Sequence, residues 1–368
     1  MTSVISLHDV SYSPFDGSLF LPEMVEFNAR HNATHPFYTF YDENLGDLRH
    51  ISHLEFYRAS QRVAHAVRPN RQGPDSDVVA IVANTDTILY QVLTMGIMLS
   101  GLVVRPTSPQ NYWGLLISFL KPFPMSPRNS PAAVVNMMRK TGCRRLIATR
   151  HSLGSLLDGI SAELRELQIE DPPTFAYAFP ELGRETANTP FVPYPKAEER
   201  PSKDNVLFYL HSSGSTGFPK PIPITNITAV HWCMMRECSV FHVSVDLIHS
   251  KSASIQAYIN LPKHITICGA SLPAFHMMGT VVQLIYPVAS LKSIAVYPPT
   301  SYQDSMKAPI IANSQNVIEV VQATKSDLVF VVPAFLEEWA TSTQAVDVLC
   351  SLDCVVRICV VPLLSVVD

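Results

Sequence analysis

Residues 209–220 read Tyr209-Leu210-His211-Ser212-Ser213-Gly214-Ser215-Thr216-Gly217-Phe218-Pro219-Lys220. They continue the short apolar run at 206–210, which follows a polar segment and is predicted to be a buried strand. Glycines let the backbone approach a ligand closely, N–H groups and hydroxyls donate to phosphate oxygens, and a lysine supplies positive charge. We therefore predict a polyphosphate site formed by Ser212, Ser213, Gly214, Ser215, Thr216, Gly217 and Lys220.

Two other interpretations of this loop are weaker. A Ser/Gly-rich stretch can be a solvated linker, but the flanks are apolar and Pro219, Pro221 and Pro223 stiffen the exit. A P-loop NTPase requires G-x-x-x-x-G-K-[ST], whereas Gly214 and Gly217 are three residues apart and a proline follows the lysine.

The composition is that of a folded protein with a sizeable core. The chain has 368 residues, enough for two domains or subdomains, of which 47% are hydrophobic and 16% charged. The formal net charge is −4 and no basic block is present, so we predict no nucleic-acid partner. The seven cysteines are scattered without C-x-x-C spacing, which predicts free thiols and no metal site.

The sequence predicts a soluble, cytoplasmic protein. Residues 1–10 contain no basic segment followed by an apolar one, as a signal peptide would. Residues 87–104 are uncharged over 18 positions, near the lower limit for a membrane span. They include several polar side chains and follow a predicted strand, so a buried helix at 87–100 and no membrane contact are expected.

Strands alternate with helical patterns, which predicts an α/β fold with mostly parallel sheets covered on both faces. Ser52 and Glu55 have capping-box spacing at the start of a helix that ends before Pro69. A connection at 182–204 is predicted to join two approximate subdomains, 16–190 and 204–353, with the phosphate loop at the carboxyl end of a parallel strand. Strands are predicted at 78–83, 145–148, 206–210, 265–268, 294–297 and 328–332.

A second motif follows the predicted strand at 265–268. It reads Leu272-Pro273-Ala274-Phe275-His276-Met277-Met278-Gly279. Taken alone, a histidine among apolar residues is more often a structural group than a catalytic one.

Both motifs resemble those of adenylate-forming enzymes: acyl-CoA synthetases, luciferases and the adenylation domains of nonribosomal peptide synthetases. The 212–220 loop resembles their phosphate-binding signature, and L-P-x-F-H-x-x-G resembles the block that lines their acyl cavity. The resemblance implies ATP and Mg²⁺ as cofactors and places Phe275, His276 and Gly279 in an acyl pocket. It also implies ATP-dependent activation of a carboxylic acid to an acyl adenylate, with release of pyrophosphate.

The position of His276 bears on the substrate. Members of the family that activate α-amino acids typically carry an aspartate there, which pairs with the substrate ammonium. A neutral imidazole cannot form the same charge-assisted pair. The resemblance therefore implies a small-molecule carboxylic acid that is not an α-amino acid, such as an aryl, aliphatic or keto acid.

Four further segments look like the adenylation domains of fungal nonribosomal-peptide-synthetase-like enzymes. They are LRHI (48–51), LEFYRAS (54–60), PFPMSPRNSP (122–131) and VPAFLEEW (332–339). Such enzymes usually continue into a carrier domain and then a reductase or thioesterase, so a carrier domain or coenzyme A is the implied acceptor. The resemblance extends from about residue 16 to 353.

The chain departs from this family at three places. Residues 104–121 look like an insertion, for which an unspliced intron is one explanation. Residues 354–368 stand where relatives carry a strand and a Gly-rich turn, and their apolar side chains fit the strand but not the turn. The segments that bear the magnesium-positioning glutamate, the ribose-binding aspartate and the lid lysine are not matched.

Because of these departures no catalytic residue is predicted. One hypothesis is an adenylate-forming ligase; the alternative is a catalytically inactive adenylation-domain fragment that at most binds nucleotide or a partner. Within the family mechanism, the missing lysine would stabilise charge at the α-phosphate.

Overall fold

The computed structural model describes residues 10–72, 78–101, 121–125, 129–211, 219–234 and 265–357. The strands in these ranges are β1 Pro36–Asp42, β2 Asp47–Ser52, β3 Val78–Val82, β4 Lys121–Pro124, β5 Arg145–Ala148, β6 Gln168–Glu170, β7 Val206–His211, β8 Pro221–Thr225, β9 Thr266–Cys268, β10 Ser293–Ala295, β11 Leu328–Val331 and β12 Cys354–Arg357.

The α-helices in the same ranges are α1 Leu21–His31, α2 His53–Val67, α3 Thr87–Ser100, α4 Pro131–Thr141, α5 Arg150–Glu163, α6 Phe175–Ala178, α7 Asn226–Met234, α8 Met277–Thr280, α9 Tyr286–Ser290, α10 Ser314–Ala323, α11 Pro333–Trp339 and α12 Thr343–Cys350. A π turn, Val281–Ile285, joins α8 to α9, and short 3₁₀ turns occupy Pro69–Arg71 and Thr300–Tyr302.

The larger sheet has six strands in the order β12-β11-β9-β10-β1-β2. All neighbours are parallel except β1 and β2, which form an antiparallel hairpin at the edge. The inner strands are largely buried, as expected for a sheet covered on both faces; all three residues of β10 are buried. The predicted α/β class with mostly parallel sheets is confirmed.

This sheet combines strands from distant parts of the chain. Tyr38 of β1 pairs with Ile294 of β10, and Thr39 pairs with Ala295. The division into 16–190 and 204–353 remains a prediction, but the strand pairing does not follow it, because β1 and β2 complete a sheet whose other strands belong to the later segment.

The second sheet has four parallel strands in the order β4-β3-β5-β6. Its central strand β3 is buried at every residue. Lys121, predicted to end the insertion, is instead the first residue of β4 and pairs with Val78. The rest of the predicted insertion, and residues 358–368 of the tail, lie outside the described residues, whereas the strand expected at 354 forms as β12.

The strand before the phosphate loop differs from the prediction in its pairing. β7 forms as expected and extends to His211, but it pairs antiparallel with β8 in a two-stranded sheet. The prediction that the loop leaves a parallel strand was wrong within the described residues, because β8 was not foreseen. Its Pro221 and Pro223 resemble loop residues, although proline is tolerated in edge strands.

The other predicted elements agree with the structure to within a few residues. The strand predicted at 145–148 and the helix predicted at 87–100 have the expected bounds, and the strands predicted at 265–268 and 294–297 are displaced or shortened by one or two residues. Twelve of the fourteen residues of α3 are buried. No helix in the described ranges combines the length and apolarity needed to cross a membrane.

The predicted capping box at α2 forms only in part. The Ser52 hydroxyl accepts a hydrogen bond from the Glu55 main-chain N–H at 3.2 Å, as predicted. The Glu55 carboxylate accepts a short hydrogen bond from the Gly183 N–H at 2.6 Å, and its interaction with the Ser52 main-chain N–H is the weaker of the two. The tertiary contact with the 182–204 connection thus outweighs the local bond.

The 182–204 connection is fixed to α2 by a buried ion pair. The Glu185 carboxylate is fully buried and accepts from Arg58 at 3.1 Å and from Arg62 at 2.6 Å. Arg58 also donates to the main-chain carbonyls of Thr186 and Thr189, and its guanidinium lies 4.8 Å from the centre of the Phe191 ring. These contacts hold the connection against α2. We call residues 182–204 the strap.

Candidate functional site

The hairpin β7–β8 determines where the predicted phosphate loop begins and ends. His211, the last residue of β7, is paired with Pro221, the first residue of β8. Lys220 immediately precedes this pair and is exposed, so the hairpin returns the lysine to the point where the loop leaves β7. Six of the predicted phosphate-binding residues lie outside the described residues: Ser212, Ser213, Gly214, Ser215, Thr216 and Gly217.

The hairpin also bears on the P-loop alternative. In P-loop NTPases the loop leads from a strand directly into a helix, whose N-terminus contributes to phosphate binding. In this chain the loop is followed by an antiparallel strand, and helix α7 begins only after β8. The local geometry therefore disfavours a P-loop NTPase.

The second motif forms a tight turn after β9 that ends in α8. The His276 N–H donates to the Pro273 carbonyl at 3.0 Å, and the Thr280 N–H donates to the His276 carbonyl at 2.9 Å. His276 is the N-cap residue of α8, and its Nδ1 accepts from the Met278 N–H at 3.3 Å. Because Nδ1 is the acceptor, the proton of the neutral ring is assigned to Nε2.

The electrostatic surroundings of His276 favour the neutral ring. Part of the side chain is exposed, but partial burial of the imidazole lowers its pKa, and the nearby His211 ring lowers the pKa further. His211, which directly precedes the phosphate loop, is therefore near enough to His276 for the two rings to interact electrostatically. At neutral pH the site thus presents an Nε2–H donor without a positive charge.

Gly279 is required by the turn itself. A Cβ atom built on Gly279 would lie 2.0 Å from the Pro273 carbonyl oxygen and 2.8 Å from its carbonyl carbon, and both are backbone atoms. The turn would have to open to admit any side chain. Phe275 is half-buried and packs against the main core. The structure thus brings Phe275, His276 and Gly279 together in one turn.

A contact that sequence analysis missed holds the loop after β10. Asp86, between β3 and α3, is buried, and its carboxylate accepts from the main-chain N–H groups and the hydroxyls of Thr300 and Ser301. This loop begins at the carboxyl edge of the larger sheet, the same edge from which the His276 turn starts. The sequence signal was weak: an aspartate at a predicted helix start.

A groove of about 360 Å³ lies between the β1–β2 hairpin and the loop after β10. Its lining includes Arg49, Arg184 and Thr300 but none of Lys220, Phe275 or His276. It is therefore separate from the two sequence motifs.

Magnesium ligands are not identified in the described ranges, where no three His, Cys, Asp or Glu side chains are grouped as a metal ion would require. The described part of the phosphate loop fits an anion, because it supplies an exposed lysine beside the hairpin. The five cysteines in the described ranges form no disulfide with one another.

A family model described as AMP-binding enzyme matches residues 25–359, which include the phosphate loop and the His276 turn. The chain belongs to the AMP-binding enzyme family. Among curated AMP-binding enzymes, it is 44% identical over 348 residues to adenylate-forming reductase Nps11 of Serpula lacrymans var. lacrymans, covering 94% of this chain and 28% of that protein. Adenylate-forming reductase Nps9 of the same fungus is 39% identical over 92% of this chain and 28% of its own length. The chain thus spans little more than a quarter of these relatives.

Solved structures of AMP-binding enzymes share the fold. The N-terminal domain of FACL13 from Mycobacterium tuberculosis has a TM-score of 0.61 at 14% identity, covering 92% of this chain and 69% of that one. The luciferase-like enzyme of the Zophobas morio mealworm has a TM-score of 0.60 at 14% identity, covering 94% and 68%. The predicted membership of the adenylate-forming superfamily, closest in type to fungal nonribosomal-peptide-synthetase-like enzymes, is confirmed.

Proposed function

We propose that this chain is the adenylate-forming part of an enzyme that activates a carboxylic acid with ATP. The observation that carries the proposal is the family match over 25–359, which contains both motifs. The electrostatic effect of His211 on His276 supports it, because it relates the turn assigned to the acid to the strand that leads into the loop assigned to ATP.

In the proposed reaction a carboxylate oxygen attacks the α-phosphorus of ATP, a P–O bond to the β-phosphate breaks, and pyrophosphate leaves. The β- and γ-phosphates are held by the hydroxyls and main-chain amides of residues 212–217 and by the ammonium group of Lys220. Bound magnesium would neutralise phosphate charge. Rate enhancement would come from positioning and from fixed donors near developing charge, as in phosphoryl transfer generally.

The substrate is proposed to be a carboxylic acid other than an α-amino acid. Phe275 and Gly279 contribute an apolar wall and a close backbone, and His276 contributes a neutral N–H donor. His276 carries no negative charge that could pair with a substrate ammonium group. An α-amino acid would therefore place an unpaired cation at this position. By analogy with relatives named adenylate-forming reductases, the acyl group would pass to a carrier domain or coenzyme A. A cytoplasmic location remains a prediction.

The test is carboxylate-dependent exchange of labelled pyrophosphate into ATP, using aryl, aliphatic and keto acids beside α-amino acids. We expect exchange with a non-amino acid, lowered about tenfold or more by Lys220→Ala. Lys203→Ala, which removes another exposed lysine near β7, should leave exchange unchanged.

Each contrary outcome identifies a different alternative. Nucleotide binding without exchange for any acid would indicate the inactive adenylation domain. Steady phosphate release without an acid would indicate an NTPase. Exchange only with α-amino acids would overturn the substrate assignment and leave adenylate formation standing.

A further inference from the structure

A glutamine buried in α3 contacts the segment that carries the His276 turn. Gln91 has no exposed surface, although its helix is otherwise largely apolar. Its amide nitrogen donates one hydrogen bond to the Ala274 carbonyl at 3.2 Å and one to the Gln283 side-chain oxygen at 3.1 Å. Both amide hydrogens of Gln91 are therefore used, one by the backbone just before His276 and the other by the side chain of Gln283.

Gln283 holds two further carbonyls of the segment before His276. Gln283 lies in the π turn Val281–Ile285 and is also fully buried. Its amide nitrogen donates to the carbonyls of Gly269 at 2.9 Å and Leu272 at 2.8 Å. The Tyr38 hydroxyl donates to the Gln283 main-chain carbonyl at 2.7 Å and fixes the π turn against β1. Such turns within helices occur often at functional sites.

The two amides together hold three carbonyls between β9 and His276, those of Gly269, Leu272 and Ala274. All three residues are buried, so a carbonyl that lost its glutamine donor would have little access to water. Residues 269–275 form no helix or strand themselves. The Gly269 N–H and the Ser271 hydroxyl donate to carbonyls of β10 and β11, and the two glutamines are the main side-chain donors to the segment's own carbonyls among the described residues.

Packing of the apolar helix α3 alone would not favour a glutamine at position 91. The Gln91 side-chain oxygen is buried and has no hydrogen-bond partner among the described residues. An apolar side chain of similar size would avoid this unsatisfied acceptor, since an unpaired buried polar atom destabilises the folded state. The benefit of the amide therefore lies in the carbonyls that it and Gln283 hold.

We infer that Gln91 and Gln283 are positioning residues that set where Phe275 and His276 stand, and thereby which carboxylic acids the site accepts. The inference rests on the proposed function in that His276 bounds the acyl pocket. Neither glutamine contacts the acid; each acts through the main chain of 269–276. A change in α3 would in this way alter acid selection without altering the turn's own sequence.

The test uses Gln91→Met and Gln283→Met, which keep side-chain length and remove the amide donors. The control is Gln61→Met. Gln61 is also buried, but its side-chain oxygen accepts from the Tyr194 N–H at 3.0 Å, on the strap along α2. All three variants lose a buried amide, and only the first two release the His276 turn.

The primary readout is the imidazole titration of His276 followed by NMR, with the signal assigned by its loss in His276→Gln. The His276 side chain is already exposed in part. Release of the turn should remove its remaining burial and move its titration upward, toward the ordinary histidine value, in both test variants. Gln61→Met should leave it unchanged. Unchanged titration in folded Gln91→Met and Gln283→Met would overturn the inference, whether or not the chain catalyses exchange.

The second readout is pyrophosphate exchange. We expect the KM for the acid to rise about tenfold in the test variants while the KM for ATP changes less than about twofold. An equal rise in both would indicate general damage and contradict the inference. If the Met variants fail to fold, Gln91→Asn, which keeps an amide but shortens its reach, is compared in the same titration; a folded Asn variant with normal His276 titration also overturns the inference.

Discussion

Asp86 and Thr300 are joined by two hydrogen bonds of 3.0 Å, from the Thr300 N–H and from its hydroxyl, to the same carboxylate oxygen of Asp86. The other oxygen accepts from the N–H and hydroxyl of Ser301. This buried carboxylate therefore satisfies four donors and fastens the loop after β10 to the start of α3.

Asp86→Asn should destabilise the protein by about 1 to 3 kcal/mol, because the new NH₂ group would face donors in place of an acceptor. Urea unfolding monitored by circular dichroism measures the effect. Asp158→Asn, at an exposed position on α5, is the matched control and should change stability by less than about 0.5 kcal/mol. Equal stability of the two variants would contradict the role given to Asp86.

Gly279→Ala should displace the His276 turn, because its Cβ would overlap the Pro273 backbone. We expect a loss of about 1 to 3 kcal/mol in unfolding free energy and weaker acid binding. Gly154→Ala is the control: no atom lies within 4 Å of its Cβ position, and alanine favours the helix. A neutral Gly279→Ala would show that the turn can open freely.

His53 should make the protein less stable in acid. Burial lowers its pKa to about 3, with a further contribution from His35, and neither ring nitrogen has a partner among the described residues. The unfolded state takes up the proton near pH 6.5 and the folded state only near pH 3, so stability is lost as pH falls between these values.

His53→Phe should remove this part of the pH dependence, about 2 to 3 kcal/mol between pH 7 and pH 4. Urea unfolding at several pH values measures it, and His151→Phe, at an exposed position, is the control. Parallel stability curves for the wild type and His53→Phe would refute the assignment.

Glu55 should act in the opposite direction. Burial raises its pKa to about 8; the hydrogen bond from Gly183 opposes the rise and the nearby Glu185 adds to it. The folded state therefore holds a proton that the unfolded state releases near pH 4.5, and stability falls as pH rises from 4.5 to 8.

Glu55→Gln should flatten the stability curve over this range by about 3 kcal/mol, since the neutral amide mimics the protonated acid. Glu181→Gln, at an exposed position directly before the strap, provides the comparison. A steeper fall with pH in Glu55→Gln than in the wild type would mean that the carboxylate is ionised in the folded state.

The sequence alone was sufficient to predict the elements and site residues that are contiguous in the chain. Local patterns located β3, β5 and α3, and the resemblance to adenylate-forming enzymes singled out the contiguous motif around His276. The sequence was insufficient to predict hydrogen-bond partners that are far apart in the chain. Gln91 and Gln283 are separated by 192 positions, and nothing in either neighbourhood indicates the other.

Two strand pairs were missed for a related reason. The aromatic run of β1 is interrupted by Thr39 and followed by the mostly polar β2, and β8 contains two prolines, which are typical of loops. Their pairing is decided by tertiary contacts, which override local preference. The Glu55 side chain likewise accepts a stronger hydrogen bond from Gly183 than from its predicted cap at Ser52, because a main-chain donor from the strap reaches it.

The pairing of β1 with β10 has a consequence for synthesis of the chain. Residues 36–42 emerge from the ribosome about 250 positions before Ser293–Ala295, the neighbour that they require on one side. Until then the nascent β1–β2 hairpin has an open edge, whereas the four-stranded sheet can close using residues up to 170 alone. The four-stranded sheet is thus expected to form first during translation, and the six-stranded sheet only after its last strands have been made.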